Sequence, residues 1–174
     1  PAVFSTGPHK TMNRTSYFSG SAIAIATALA CVLPTVSGTA FAHGDVVPQA
    51  VDTEGLKALP EGEWLDENPY RGNKQAIEIG SSAYGQNCAR CHGLDAVSGG
   101  IAPDLRELGP EYDDYFIGKV RGGVQRNGMT YMPAFEGTLS QEAMWAIRSY
   151  IDKRHYEYND KDLAKLYEQA EDGS

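Results

Sequence analysis

"NCARCHGL", Asn87 to Leu94, places two of the chain's three cysteines three positions apart, with a histidine directly behind the second. The third cysteine, Cys31, lies in a different setting. Met12-Asn13-Arg14 leads into "GSAIAIATALACVLPTVSG", an uncharged apolar run, and then into Ala40-Phe41-Ala42. A basic start, a short apolar middle and an A-x-A ending predict a secretory signal cleaved after Ala42. Pro34, Ser37, Gly38 and Thr39 cut the run below a bilayer span, so no stable membrane insertion is expected. Residues 1–42 are therefore read as upstream residues and a cleaved signal peptide, and Cys31 as leaving with it.

The 132 residues after Ala42 keep 13 basic and 23 acidic side chains, a formal charge of −10. That balance disfavours nucleic acid and anionic membranes and favours a basic or dipolar protein partner. Only Cys88 and Cys91 survive processing. Two free thiols do not persist in an oxidising compartment, so they are bridged or consumed by something else.

Residues 43–73, rich in Pro, Gly and acids without sustained periodicity, read as an extended arm pinned by Trp64 and Tyr70. The domain proper is expected at 74–155. It opens with a helix whose one face carries Ala76, Ile77, Gly80, Tyr84 and Cys88. Gly80 within it points to a second helix approaching closely. A loop through Pro103 follows, then a short helix with Tyr115, Phe116 and Val120 on one side, ended by Gly122-Gly123. A second loop, "QRNGMTYMPAFEG", precedes a last helix capped by Ser140. That helix sets Met144, Ile147, Tyr150 and Ile151 on one face and Lys153, Arg154 and His155 in its final turn. Residues 156–174 read as an acidic tail, with one more short helix possible around Leu163, Leu166 and Tyr167. No strand is predicted. A small, mostly α domain with so much loop implies a core that is not made of side chains alone.

Three chemistries compete for Cys88-Ala89-Arg90-Cys91-His92. A thioredoxin-type pair needs the motif at the start of a helix after a strand, and here a helix precedes it. Zinc needs four ligands, and His43 and His155 stand alone. Covalent haem attachment needs what is present: two thiols one helical turn apart for the two vinyl groups, and an adjacent imidazole for the iron. One haem c is expected, with Leu94, Ile101, Leu105, Tyr131 and Phe135 closing over it. His92 then needs its other ring nitrogen satisfied, and Pro103, in a rigid loop, could supply the carbonyl. Met129, Met132, Met144 and His155 are candidates for the opposite axial position. Pro133 stiffens the backbone behind Met132, which favours it over Met129, while Met144 reads as core and His155 as an end-of-helix charge. A thioether is soft and raises the reduction potential, and filled axial positions leave no site for oxygen or peroxide. Those are the properties of an electron carrier.

The segments "IGSSAYGQ", "CARCHG", "APDL", "YMPAF" and "SYI" resemble class I cytochromes c, with Ala102 where the family often has glycine. The resemblance implies that Gly80 and Tyr84 pack against Trp145 and Tyr150. Over about His43 to Arg154, "HGDVVPQAVDTEGL", "EWLDENPYRGN" and "RNGMTYMPAFEG" are similar to periplasmic cytochromes c that take electrons from PQQ-dependent alcohol dehydrogenases. The resemblance therefore implies a location in the periplasm, a quinoprotein donor and a terminal oxidase, or another cytochrome, as acceptor. Two other readings remain open: a haem enzyme or gas or peroxide sensor with displaceable methionine, and a fixed subunit of a respiratory complex. Trp64, Tyr70 and Arg71 are expected to cover one haem edge and shield a propionate, and Arg126 to pair with the other propionate.

Overall fold

A computed structural model describes residues 46–165. The signal sequence, Cys31, the cut after Ala42, His43, Leu166 and Tyr167 lie outside the described residues. Among the described residues the structure is carried by α1 (Lys74–Asn87), α2 (Ala89–His92), α3 (Asp113–Gly122) and α4 (Gln141–Asn159). Single 3-10 turns at Leu94–Ala96, Leu105–Glu107 and Pro110–Tyr112 punctuate the loops. The mostly helical class expected from the sequence is what is found.

Caps fix the helix starts. The Asn73 carboxamide oxygen accepts the Ala76 N–H at 2.9 Å, and the Ser140 hydroxyl accepts the Ala143 N–H at 3.2 Å. Each satisfies a backbone donor that the helix itself leaves free.

The core is the crossing of α1 over α4. A Cβ at Gly80 would stand 1.9 Å from the Ala146 carbonyl oxygen, so only glycine lets the two backbones touch. One turn on, the Tyr84 and Tyr150 rings pack with centroids 5.1 Å apart. The partner of Gly80 is therefore the α4 backbone at Ala146–Ile147 rather than the Trp145 side chain. Trp145 faces α3, with its ring 6.3 Å from that of Phe116. Every residue from Ala143 to Asp152 is buried, as expected of a helix covered on all sides.

Three expectations need correction. The second loop contains a short antiparallel hairpin, β1 (Val124–Arg126) with β2 (Met129–Met132). Its turn is Asn127-Gly128, both at positive φ, the backbone that closes two-residue hairpins. On α3 the core-facing residues are Phe116, Ile117 and Val120, while Tyr115 is exposed. Finally, α4 runs to Asn159, past the boundary read at residue 155, so its basic residues lie a turn inside the helix. Ion pairs from Lys153 and Arg154 to Glu157 support the added turn, as does a bond from Asn159 to the Arg106 carbonyl. Residues 161–165 are helical again.

The arm is strapped to α4 along its length. The Leu59 N–H donates to Glu142 at 2.9 Å and the Leu65 N–H to Gln141 at 2.8 Å. Tyr70 is buried, and its hydroxyl donates to the Lys57 carbonyl. Below it lies a compact charge cluster. Arg71 pairs with Asp113 at 2.6 Å and Asp152 at 3.0 Å, and Arg148 pairs with the same two at 2.7 and 3.3 Å. Arg148 also donates to the Leu108 and Gly109 carbonyls, and Asn68 donates to Asp113, Ser149 and Asp152. Two acids and two guanidiniums cancel, so the cluster is neutral although Arg148 and Asp152 are fully buried. Desolvation still pushes the Asp152 carboxyl up, against the pull of Arg148 and Arg71.

Breaking one partner strands a buried charge, which typically costs about 3–5 kcal/mol. Arg148→Met is expected to lose about that much in urea unfolding, whereas Gly80→Ala, which overpacks the crossing, should lose on the order of 3 kcal/mol.

Candidate haem site

The end of α1 sets the two thiols. The Cys88 N–H donates to the Tyr84 carbonyl at 2.8 Å, and the Cys88 carbonyl accepts the Cys91 and His92 N–H groups at 3.1 and 3.0 Å. Cys88, Cys91 and His92 thus share one helical turn. Gly93 closes it at φ +82, where a Cβ would meet the Val97 carbonyl oxygen at 1.8 Å. The Tyr84 hydroxyl donates to the Gly93 carbonyl at 2.8 Å, tying this turn back to the α1–α4 crossing.

The imidazole of His92 is oriented from the next loop. Its Nδ1 lies 2.9 Å from the Pro103 carbonyl oxygen, the partner expected from the sequence. Proline at 103 is itself held by its neighbour. Asp104 accepts the Arg106 N–H at 3.0 Å, is forked by the Arg106 guanidinium at 3.0 and 2.7 Å, and reaches the Ser98 N–H. Those contacts, Arg106 foremost, hold its carboxyl down at about 2. Asp104 and Arg106 went unremarked in the sequence, although an acid two residues before an arginine, directly after proline, is a recognisable loop clasp.

Burial lowers the His92 pKa despite the opposing hydrogen bond, a shift toward the neutral form that a metal ligand needs. The Cys88 thiol is pushed up to about 12, by burial first and Cys91 second.

Of the four candidates for the opposite axial position, the structure separates two pairs. Met144 is buried in the core and His155 is engaged at 2.7 Å with the Arg106 carbonyl. Met129 and Met132 sit at the two ends of β2, with Met129 57% exposed and Met132 partly buried against the core cluster. Gly123, read from the sequence only as a helix stop, makes room for that loop. A Cβ there would lie 2.5 Å from the Met132 carbonyl oxygen and 2.7 Å from the Ala134 nitrogen.

Apolar side chains flank these groups on the same loops. Leu94 and Ile101 are 77% and 82% exposed, and Tyr131 stands out beside Met132. Leu105 is half-buried, but Phe135 belongs to the core and is not a loop cover. Of the two arginines expected at the propionates, one is committed elsewhere. Arg71 is committed to Asp113 and Asp152, and Arg126 lies 5.8 Å over the exposed Tyr131 ring. Trp64 packs beneath the Arg121 guanidinium at 3.9 Å, and Tyr70 is in the core. Among the described residues no three His, Cys, Asp or Glu side chains form a cage for a bare metal ion. Two thiols one turn apart, an imidazole with Nδ1 satisfied, and an apolar rim of loop residues do fit a haem held by thioethers.

The family described as "Cytochrome C oxidase, cbb3-type, subunit III" matches residues 75–151. Cytochrome c550 of Pseudomonas aeruginosa is 56% identical over 126 residues, 69% of this chain and 86% of that protein. Quinohemoprotein alcohol dehydrogenase ADH-IIG of Pseudomonas putida is 40% identical over 82 residues, 47% of this chain but 11% of the dehydrogenase. Quinohemoprotein alcohol dehydrogenase ADH IIB of the same organism is 33% identical over 90 residues, 13% of its length. No solved structure matches the chain. With a single Cys-x-x-Cys-His motif in the sequence, this chain belongs to the cytochrome c family and is an electron-transfer protein carrying one covalently attached haem c.

Proposed function

We propose that the protein is a periplasmic one-electron carrier that accepts electrons from a PQQ-dependent alcohol dehydrogenase and delivers them to a terminal oxidase. In this reading Cys88 and Cys91 would form the thioethers, His92 and Met132 would bind the iron, and Pro103 would orient His92. The observation that carries it is the 2.9 Å contact between His92 Nδ1 and the Pro103 carbonyl. That contact satisfies one ring nitrogen and leaves Nε2 for the iron. When bound, the haem supplies the ferric–ferrous couple. The chain supplies the rest: an imidazole oriented by the Pro103 carbonyl, a soft thioether that favours the reduced state, and apolar loop side chains at the rim.

The donor is supported by relatedness to two quinohemoprotein alcohol dehydrogenases, each matching this chain over a small part of its own length. No helix among the described residues is long and apolar enough to cross a membrane. The expected leader and the fate of its cysteine agree with export, where thioethers protect both remaining thiols.

A diffusing carrier must release its partner quickly, so the contact should be small and wet, and its rate salt-dependent. Stopped-flow reduction by a purified quinoprotein alcohol dehydrogenase tests the donor, and absence of direct reduction would refute it. An ionic-strength series on the same reaction should change the rate; a flat response removes the electrostatic part.

Met132→Ala should abolish the long-wavelength thioether-to-iron band of the ferric protein and lower the potential by on the order of 0.1 V. Met129→Ala should leave both unchanged. Asp104 gives a pH prediction. Its folded pKa, about 2, is depressed from 3.8, so its contribution is present above about pH 4 and is lost as pH falls toward 2. Urea stability measured down that window should fall less steeply in Asp104→Asn than in the native protein.

A further inference from the structure

We propose that Trp64 of the arm is a positioning residue for the methionine loop, acting through Arg121 and Glu136. The inference rests on the reading of Met132 as the axial ligand and asks what holds it.

The loop after β2 is fastened to the last turn of α3. The Phe135 N–H donates to the Val120 carbonyl at 3.0 Å, and the Glu136 N–H to the Arg121 carbonyl at 3.4 Å. The Arg121 guanidinium then forks the Glu136 carboxylate at 3.2 and 3.0 Å. Glu136 is four residues past Met132, so this fork fixes the far end of the ligand loop. The same guanidinium lies 3.9 Å over the Trp64 ring. Planar stacking orients the fork that a flexible surface arginine would otherwise lose to rotamer freedom.

Trp64 is itself immobilised from both flanks by one side chain. The Gln141 carboxamide accepts the Leu65 N–H at 2.8 Å and donates to the Glu63 carbonyl at 2.9 Å. An exposed ion pair alone contributes little, and Glu136 is nearly half exposed. What distinguishes this one is the indole platform fixed to α4. The arm thereby has a reason to be present that the charge cluster at Arg71 does not supply.

The test compares ferric holoprotein variants by imidazole affinity and by the thioether-to-iron band. Exogenous imidazole must displace the methionine, so its affinity reads how firmly the loop holds. Trp64→Ala should bind imidazole about threefold to tenfold tighter, with a weaker band on warming. Trp64→Phe should restore most of the native behaviour, and Glu136→Gln should resemble Trp64→Ala, with the double variant no worse than either. Tyr70→Phe loosens the arm elsewhere and should leave imidazole affinity native. Native affinity in Trp64→Ala overturns the proposal, as does an equal rise in Tyr70→Phe, which would signal general loosening. Met132→Ala separates the two layers. Loss of the band there with native behaviour in Trp64→Ala removes only the platform, whereas a retained band in Met132→Ala removes the ligand reading and the platform with it.

Discussion

The close approach of two backbones at Gly80 is the constraint on which the rest of the molecule depends. Because no side chain separates α1 from the Ala146 carbonyl, the angle and depth of the crossing are set without adjustable rotamers. Cys88 follows α1 directly, and Tyr84, packed on Tyr150, reaches from the crossing to the Gly93 carbonyl. The position of both thiols is thus inherited from a helix contact that touches neither. On the other side, Ser140 and Gln141 start α4 where the arm and the methionine loop meet. One pair of helices therefore orders both faces of the site.

Much of this was written in the sequence because it depends on short-range chemistry. The glycine in α1, the Cys-x-x-Cys-His turn, the proline carbonyl opposite His92 and the serine cap of α4 each act through neighbours or one obvious partner. What escaped depends on partners far along the chain. Arg71 looked like a free cation because nothing local marks Asp113 and Asp152 as its acids. Arg148 carried no signal in the sequence either, yet it is buried and paired with Asp113 and Asp152.

The hairpin escaped for a different reason. Asn127-Gly128 is a strong turn signal, but strands of three and four residues are too short to show alternation. The extension of α4 was obscured by charge: a run of Lys, Arg, His and Glu reads as a solvated tail unless its internal pairs are counted. Gly123 was legible as a stop but not as clearance, since the carbonyl it admits lies nine residues later.

The arm's bonds to α4 join residues 76 to 84 positions apart in the chain. Contacts of such long reach close a large loop and must offset the entropy of ordering the intervening chain. Asn68 and Arg71 dock with the strap, and of the two only Arg71 carries charge to Asp113 and Asp152. Until they do, the interior holds two acids against one guanidinium. An incompletely wrapped molecule is thus electrically unbalanced at its centre, and docking of the strap is what completes its maturation.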